Sequence, residues 1–292
     1  MTSNDLDLRQ LVKTIDSAEP TEQAKPVNRL RNLEISNAKR KNAELGKLNE
    51  LDGIECDICK NKGFIYCVPD DSDTMVRKNC ECKKQRDIFW NKEKSGLGHL
   101  KDKRLNEFKV NNDIQKTMRA MAVEYLTLDK YQDIKPWLFI GGQSGSGKTH
   151  IASAICNELL NRGYVVKYVV WTDFMDKVKQ EFKRRDDDIL GILQSCKECE
   201  VLFIDDLFKA RTTEFDIQKA FELINARYSQ QRITIVTTEL NDQQLYSIDS
   251  AIMGRIIEKC YVDKGKHGLS RDYRFDMSID RNDTYNYRLK QR

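Results

Sequence analysis

A phosphate-binding pattern, G-x-x-x-x-G-K-[ST], is formed by Gly142, Gln143, Ser144, Gly145, Ser146, Gly147, Lys148 and Thr149. The glycines let backbone N–H groups close around phosphates. Lys148 is expected to reach the β- and γ-phosphates, and the Thr149 hydroxyl to hold Mg²⁺. The next residue, His150, is expected to line the nucleotide site through its backbone N–H. The apolar run WLFIGG leads into the pattern and a helical pattern follows it, as this chemistry requires. The sequence therefore predicts a site for ATP and Mg²⁺.

A second apolar run, VLFI, ends in two acidic residues, Asp205 and Asp206. Acids at the carboxyl end of a buried parallel strand lie beside the phosphate loop. We expect Asp205 to contact Mg²⁺ through water, and Asp206 to orient or deprotonate the water that attacks ATP. The alternative is a strand followed by a turn with two solvated acids, and the earlier phosphate loop disfavours it.

Two further segments carry candidates for catalysis. The run ITIVTT ends in Thr237 and Thr238, either of which can contact the γ-phosphate or the water, and we adopt Thr238 as the candidate. A purely structural threonine pair is the alternative. Arg255 lies late in a helical pattern, where a guanidinium can reach the ATP of a neighbouring subunit and stabilise transition-state charge. A solvent-exposed arginine with no such role is the alternative.

Cysteines are concentrated in one segment of the chain. Cys56 and Cys59 form a C-x-x-C pair, and Cys80 and Cys82 form a C-x-C pair about twenty residues later. Two thiolate pairs on short loops can close a tetrahedral Zn²⁺ site, in which four protein ligands leave no position open for catalysis. We predict a structural zinc ion on these four cysteines, with Cys67 as an alternative ligand for the second pair. Disulfides and buried free thiols are the competing interpretations.

Two features have plainer interpretations. The C-x-x-C pair Cys196 and Cys199 has no second pair near it, so we interpret both as ordinary packing or surface residues. A basic run follows the second predicted strand, and a solvated helix face and a DNA-contacting surface explain it equally well. The run consists of Lys177, Lys179, Lys183, Arg184 and Arg185.

Strand and helix patterns alternate from residue 136 onward. The strand candidates are Trp137–Ile140, Val165–Trp171, Val201–Ile204, Ile233–Thr237 and Cys260–Val262. The helix-start candidates are Thr149, Thr172, Thr213 and Asn241. This alternation predicts an α/β fold, with a parallel sheet and flanking helices that position the phosphate loop and the acids.

Composition divides the chain into four predicted segments. They are a polar, partly helical segment (1–53), a zinc-binding module (54–90), a linker with a helix (91–135) and a nucleotide-binding domain (136–292). The first has no aromatic residue, and its helical pattern begins near Val27. Within the third, the stretch from Ser95 to Phe108 is predicted to be the linker.

The overall composition excludes several classes of protein. The chain has 292 residues, of which 39% are hydrophobic and 33% charged, and its formal net charge is +4. No stretch approaches the ~18–20 apolar residues of a membrane-spanning helix, and the first residues lack the pattern of a secretory signal. We therefore predict a cytoplasmic protein with no membrane partner. A net charge so close to balance does not by itself argue for nucleic-acid binding.

The motifs together resemble the AAA+ ATPase domain of bacterial and phage replicative-helicase loaders, the DnaC/DnaI family. The resemblance is carried by GGQSGSGKTHIA, VLFIDDLFK, the threonine-tipped strand and the GRI segment, in this order. The CxxC…CxC cluster and an SGLG…F segment extend it to about residues 54–290. It implies a P-loop AAA+ fold with a five-stranded sheet in the order 51432. It also implies ATP hydrolysis, self-association into an open spiral on a hexameric replicative DNA helicase, and contact with single-stranded DNA.

The resemblance carries roles over to Lys148 and Thr149 in the phosphate loop, Asp205 and Asp206 in the acidic motif, and Arg255 as the arginine finger. Many AAA+ proteins have Glu where Asp206 stands, and the shorter carboxylate predicts slow hydrolysis. Arg274 and Arg288 match the basic tail of these loaders, and either is a candidate for a nucleotide-sensing arginine.

Three functions remain open at this point. The leading one is an ATP-hydrolysing loader that delivers a replicative helicase to single-stranded DNA. The second is a transposition helper ATPase of the IstB type, which acts on duplex DNA, and the cysteine cluster disfavours it. The third is a nucleotide-binding adaptor without turnover, which Asp206 and Arg255 disfavour.

Overall fold

The computed structural model describes residues 26–128, 136–184, 188–262 and 271–277. The chain divides into two units, Met1–Trp90 and Asn91–Arg292, and each is described by itself. Within the described residues, no helix is long and apolar enough to cross a membrane.

The described part of the first unit is built around a hairpin. Its elements are α1 (Pro26–Ala43), α2 (Leu48–Asp52), β1 (Phe64–Cys67), β2 (Val76–Asn79) and the start of α3 (Cys82–Lys94). The strands β1 and β2 pair antiparallel, and β1 buries alternate residues, Ile65 and Cys67. The predicted helical pattern is interrupted after α1. A side chain at Gly46 would collide with the backbone of Asn61, whose carbonyl oxygen lies 2.4 Å from the position of a Cβ.

The second unit contains a sheet covered by helices. Its helices are α4 (Asp113–Thr127), α5 (Lys148–Asn161), α6 (Trp171–Arg184), α7 (Asp188–Glu198), α8 (Glu214–Ser229), α9 (Asp242–Ile248) and α10 (Ser250–Cys260). The strands are β3 (Leu138–Gly142), β4 (Val166–Val170), β5 (Val201–Asp205), β6 (Ile233–Thr237), β7 (Tyr261–Val262), β8 (Arg271–Asp272) and β9 (Arg274–Met277). Five of them form a parallel sheet in the order β4-β5-β6-β3-β9. Counted along the chain, this order is 51432, so the predicted topology is confirmed.

The fifth strand of the sheet differs from the predicted one. The pattern at Cys260–Val262 yields only the short strand β7, which pairs antiparallel with β8 outside the five-stranded sheet. The sheet is completed instead by β9, which pairs with β3 from Phe139 to Gly142. Cys260 itself is the last residue of α10 and is fully buried.

The predicted linker also differs, because it belongs to the core of the second unit. The stretch Ser95–Phe108 contains two short 3₁₀ turns, Gly98–Leu100 and Leu105–Glu107. Leu97, Leu100 and Phe108 are buried in the same apolar cluster as the sheet. Burial of these side chains favours a packed segment over a free one.

Hydroxyl and amide caps fix the starts of two helices around the sheet. Thr213 and Asn241 each form a reciprocal capping box, at the starts of α8 and α9. The predicted helix starts at these two residues are confirmed. Thr149 and Thr172 lie one residue inside α5 and α6. Three central strands, β3, β5 and β6, are buried at every residue, as in a sheet covered on both faces.

Candidate functional site

The phosphate loop lies between β3 and α5, as the sequence predicts. Gly142, Gly145 and Gly147 have φ angles of 111°, 75° and 100°, which side chains with a Cβ rarely adopt. At Gly147 a Cβ would also come within 2.5 Å of the Phe108 ring. The loop therefore requires glycine at this position for both conformation and space. Gly147 caps the amino end of α5, where backbone N–H groups and the helix dipole favour an anion.

Lys148 is buried at the base of this loop. Its Nζ donates hydrogen bonds of 2.8 Å to the carbonyl oxygens of Gly142 and Gln143. Burial holds the pKa of Lys148 below its ordinary value. The ammonium group is thus satisfied by neutral carbonyls, which a phosphate can replace with a stronger, charged acceptor.

Asp205, the last residue of β5, contacts side chains from β4, from β6 and from the phosphate loop. Its carboxylate accepts a hydrogen bond of 3.0 Å from the Thr149 hydroxyl, one of 3.0 Å from the Tyr168 hydroxyl, and a short one from the Thr237 hydroxyl. Burial raises the pKa of Asp205, and these hydroxyls oppose the rise. The structure thus brings together Thr149 and Asp205, the two predicted Mg²⁺ residues, and their oxygen donors suit that ion.

The two threonines at the end of β6 have different contacts. Thr237 reaches both acids, because its hydroxyl also accepts the backbone N–H of Asp206 at 3.2 Å. Thr238 is fully buried, and its hydroxyl donates to the carbonyl of Leu207 at 2.7 Å. The prediction of Thr238 as the catalytic hydroxyl is therefore not supported, because that hydroxyl is used to hold a turn. Thr237 is the member of the pair at the site.

A cleft of 670 Å³ opens over the loop. It is lined by predicted site residues from Ser144 to His150 and by both acids, and the His150 ring contacts the carbonyl of Arg104 at 3.1 Å. Several lining residues were not predicted from the sequence, namely Lys103, Phe108, Gln115, Tyr168, Lys209 and Glu239. Phe108 belongs to the SGLG…F segment, which was a usable signal. Lys209 is the last residue of the VLFIDDLFK motif, but its contacts with Asp206 and Glu239 depend on the fold. Tyr168 and Glu239 belong to no motif and come to the site only through the sheet.

The predicted arginines lie outside the lining of this cleft. Arg255 on α10 donates to Asn225 Oδ1 at 3.0 Å, and its guanidinium lies 4.8 Å from the Phe221 ring centre. Arg274 on β9 pairs with Asp272 and, at 2.7 Å, with Asp242. The second candidate for nucleotide sensing, at position 288, is outside the described residues.

The basic run on α6 is described only in part. Lys179 forms a 2.6 Å ion pair with Asp216 at the start of α8. The structure does not describe the side chains of Lys183, Arg184 and Arg185. A contact of this run with DNA stays a prediction.

The first unit contains a separate candidate metal centre. The four predicted cysteines converge, with all four Sγ atoms within 4.8 Å of one another. The Sγ atoms of Cys56 and Cys80 are 3.7 Å apart, and those of Cys59 and Cys82 are 3.5 Å apart. A tetrahedral zinc ion with Zn–S bonds of about 2.3 Å places sulfurs ~3.8 Å apart. The donor set therefore fits Zn²⁺. Cys67 is buried but does not belong to this group.

Local structure explains why these thiols converge. After Cys59 the chain turns through Lys60, Asn61 and Gly63, all with positive φ, and the Gly63 N–H donates to Cys59 Sγ at 3.2 Å. On the other side, the first residue of α3 is Cys82, and its Sγ accepts from Arg86 Nε at 3.5 Å. Donors aimed at sulfur favour the thiolate that binds metal.

The neighbourhood of Arg86 joins the metal centre to the helix α2. Its guanidinium forms a buried ion pair of 2.5 Å with Asp52 and donates to the Ile54 carbonyl at 2.7 Å. Removing one partner of such a pair leaves an uncompensated buried charge. The cysteine cluster, α2 and α3 therefore form one connected structure.

The plain interpretation of the other C-x-x-C pair is confirmed. Cys196 is fully buried in the apolar core of the second unit, and burial raises its pKa to about 11. Cys199 Sγ accepts a hydrogen bond of 3.4 Å from Arg227. Neither belongs to a group of potential metal ligands among the residues that the structure describes.

The sheet, the phosphate loop and the Thr149–Asp205 pair together define a P-loop ATP-binding protein. The sequence profile of the IstB-like ATP-binding protein family matches residues 70–270, so the chain belongs to this family. The matched region begins after Cys56 and Cys59 and includes the second cysteine pair.

Three curated relatives illustrate the similarity. The uncharacterized protein YqaM of Bacillus subtilis is 31% identical over 210 residues, which are 66% of this chain and 65% of YqaM. The phage-like element PBSX protein XkdC of the same organism is 28% identical over 224 residues, covering 70% of this chain and 79% of XkdC. The replicative helicase loader DnaC of Escherichia coli K12 is 25% identical over 175 residues, which are 60% of this chain and 69% of DnaC. The match to YqaM thus spans slightly less than two thirds of that protein.

Proposed function

We propose that the chain is an ATPase that loads a hexameric replicative DNA helicase onto single-stranded DNA. The observation that carries the ATPase part is the 3.0 Å hydrogen bond between Thr149 and Asp205, beside the buried ammonium group of Lys148. The similarity to the loader DnaC supports the helicase part.

In this proposal the residues of the cleft divide the work of phosphoryl transfer. Lys148 leaves its two carbonyl partners and donates to the β- and γ-phosphates. Thr149 and Asp205 are the residues that would hold Mg²⁺, and bound Mg²⁺ supplies positive charge next to the phosphates. Asp206 accepts the proton of the attacking water. The Thr237 hydroxyl accepts the backbone N–H of Asp206 and so keeps that residue in position.

Self-association is part of the same proposal. Arg255 lies outside the cleft of its own chain, so a catalytic role for it requires a neighbouring subunit. It is half-buried against Phe221 and Tyr228, whose rings orient the guanidinium without neutralising its charge. An arginine held in this way retains the charge that a phosphate on a second copy would recognise.

We further infer that the four cysteines hold a structural Zn²⁺. The sulfur separations and the donors on Cys59 and Cys82 support this assignment. The metal would stabilise a unit whose apolar cluster around the cysteines is small.

A turnover assay and a pull-down test the main proposal. We expect ATP hydrolysis that changes when single-stranded DNA or helicase is added, and co-purification with a hexameric replicative helicase. The variant Lys148→Ala is the inactive control. Nucleotide binding with no turnover under any of these conditions would favour the adaptor function.

The second candidate function is a transposition helper, which the name of the matching family favours. Duplex DNA binding separates it from the loader. A chain that binds duplex DNA tightly with ATP, and does not retain the helicase, would contradict loading and support the helper function.

A further inference from the structure

The turn that follows β5 is rigid and is tied to the end of β6. Asp206 and Phe208 have φ angles of 57° and 56°, in the left-handed region that non-glycine residues rarely occupy. Surrounding bonds hold this conformation: the Leu207 N–H donates to the Thr237 carbonyl at 2.9 Å, and the Thr238 hydroxyl donates to the Leu207 carbonyl. The Phe208 side chain is buried. The backbone of the turn is therefore held against the end of β6.

A lysine side chain extends from this turn and joins two carboxylates. Lys209 Nζ lies 2.9 Å from Asp206 Oδ2 and 3.0 Å from Glu239 Oε1. The hydrogen bond to Asp206 raises the pKa of Lys209. Burial pushes the pKa of Glu239 up, but the bonds to Lys209 and Ser144 hold it below its ordinary value. The ammonium group of Lys209 therefore lies between two carboxylate groups, those of Asp206 and Glu239.

These three groups face the end of the cleft where phosphates are expected. Lys209 and Glu239 line it together with Lys148. The charges on Glu239, Asp206 and Lys209 all act on the ammonium group of Lys148. Ser144 of the phosphate loop lines the same cleft as Glu239.

We propose that Lys209 is a second phosphate-binding cation, which exchanges Asp206 and Glu239 for the terminal phosphate of ATP and so releases the Asp206 carboxylate. The flexible four-carbon stem of lysine allows the ammonium group to move while the backbone stays fixed. The side chain is 40% exposed, so no packed residue has to move with it.

The proposal makes the site selective for triphosphates. ADP lacks the terminal phosphate, so with ADP Lys209 keeps its two carboxylate partners. The inference rests on the ATP site of the proposed function, but it requires neither hydrolysis nor a helicase.

The test compares the affinities for a non-hydrolysable ATP analogue and for ADP, both measured with Mg²⁺ by calorimetry. In Lys209→Met we expect the analogue to bind about tenfold more weakly, the size of one charge-assisted hydrogen bond, and ADP to change less than twofold. The matched control is Lys103→Met, which removes one positive charge from the lining of the same cleft. There we expect the two affinities to fall by equal factors.

A second variant guards against a loss of folding. Lys209→Gln keeps a hydrogen-bond donor for the carboxylates and removes the charge, and we expect the same selective loss. Unfolding temperatures without nucleotide identify any variant that does not fold. Equal weakening of both ligands by Lys209→Met and Lys209→Gln would overturn the proposal.

Failure of this inference is distinguishable from failure of the proposed function. Absence of turnover or of helicase binding would contradict the proposed function and leave these binding results unaffected. A wild-type chain that binds neither ligand would contradict both.

Discussion

The cysteine centre and the nucleotide cleft are positioned by opposite means. In the first unit, the described apolar cluster around the site consists of Cys59, Ile65, Cys80 and Cys82, so the candidate ligands are themselves the core. In the second unit, the site residues lie at the edge of a sheet whose central strands are buried throughout. Burial stabilises in proportion to apolar area, and small units without enough of it need a cross-link. We therefore expect metal binding and folding to be inseparable in the first unit, and nucleotide binding and folding to be separable in the second.

Removal of the metal gives the largest expected effect. A strong chelator should unfold residues 54–90 and leave the sheet of the second unit folded, because only the first site supplies its own folding energy. Hydrogen exchange followed by mass spectrometry measures this, together with the zinc content before treatment. Cys59→Ser should behave like chelation, whereas Cys67→Ser, which changes a buried thiol outside the cluster, should retain the metal. Metal content near zero in protein purified without chelator would reject the zinc site.

Lys148→Ala tests the nucleotide cleft, where we expect binding and folding to be separable. We expect ATP affinity to fall beyond the range of a fluorescent-analogue titration, on the order of 100-fold or more, because the phosphates lose a charged donor. The unfolding temperature of the second unit should change little, since Lys148 bonds only to two loop carbonyls. An unchanged affinity would contradict the assignment of the phosphate site.

Arg255→Ala should separate binding from turnover in the assembled protein. We expect ATP affinity to persist and hydrolysis to fall by about 10³-fold, the usual effect of losing an arginine finger. Mixing this variant with Lys148→Ala should restore part of the activity, because some interfaces then combine an intact cleft with an intact arginine. If the two variants co-assemble without any rescue, Arg255 does not act on a neighbouring subunit.

Asp206→Asn should lower turnover by about 100-fold while ATP stays bound, because the carboxamide keeps the shape and cannot accept a proton. Single-turnover kinetics with a parallel binding titration measure both quantities. Parental turnover in this variant would show that Asp206 does not act on the water.

The smallest effect concerns the scaffold alone. Thr213→Ala removes the capping box of α8, in which Thr213 Oγ accepts the Asp216 N–H at 3.3 Å. We expect a loss of about 1 kcal/mol in the free energy of unfolding and unchanged ATP affinity. Thr212→Ala, one residue outside the box, should cost less than half as much. If a denaturant titration shows that Thr213→Ala and Thr212→Ala lower the free energy of unfolding equally, the capping box makes no special contribution to stability.

The sequence predicted the candidate sites best where the binding of a ligand fixes the spacing of the residues. The phosphate loop and the proposed zinc ligands are local patterns, and the order of the strands followed from the family resemblance. The fifth strand was misplaced because Cys260–Val262 is more apolar than β9, whereas membership of the sheet is decided by pairing with β3. Phe108 was assigned to a linker because its burial depends on a partner, Gly147, far along the chain.

Long-range geometry also explains why some contacts within the cleft were not predicted. Thr237 is the last residue of β6 and Thr238 follows it outside the strand, so their hydroxyls have different partners, which a single sequence cannot assign. From the sequence alone, Lys209 cannot be distinguished from an ordinary surface lysine that follows an acidic strand. Its contact with Glu239 exists only because β5 and β6 end side by side.

The pairing of β3 determines when the sheet around this strand is completed during synthesis. This strand leads into the phosphate loop, yet both of its neighbours, β6 and β9, are synthesised after it. A nascent chain that stops before Arg274 exposes one edge of β3, and such unpaired edges are prone to aggregation. The sheet that carries the ATP site is therefore complete only when β9 has left the ribosome, although the signature residues of the site emerge near the middle of the chain.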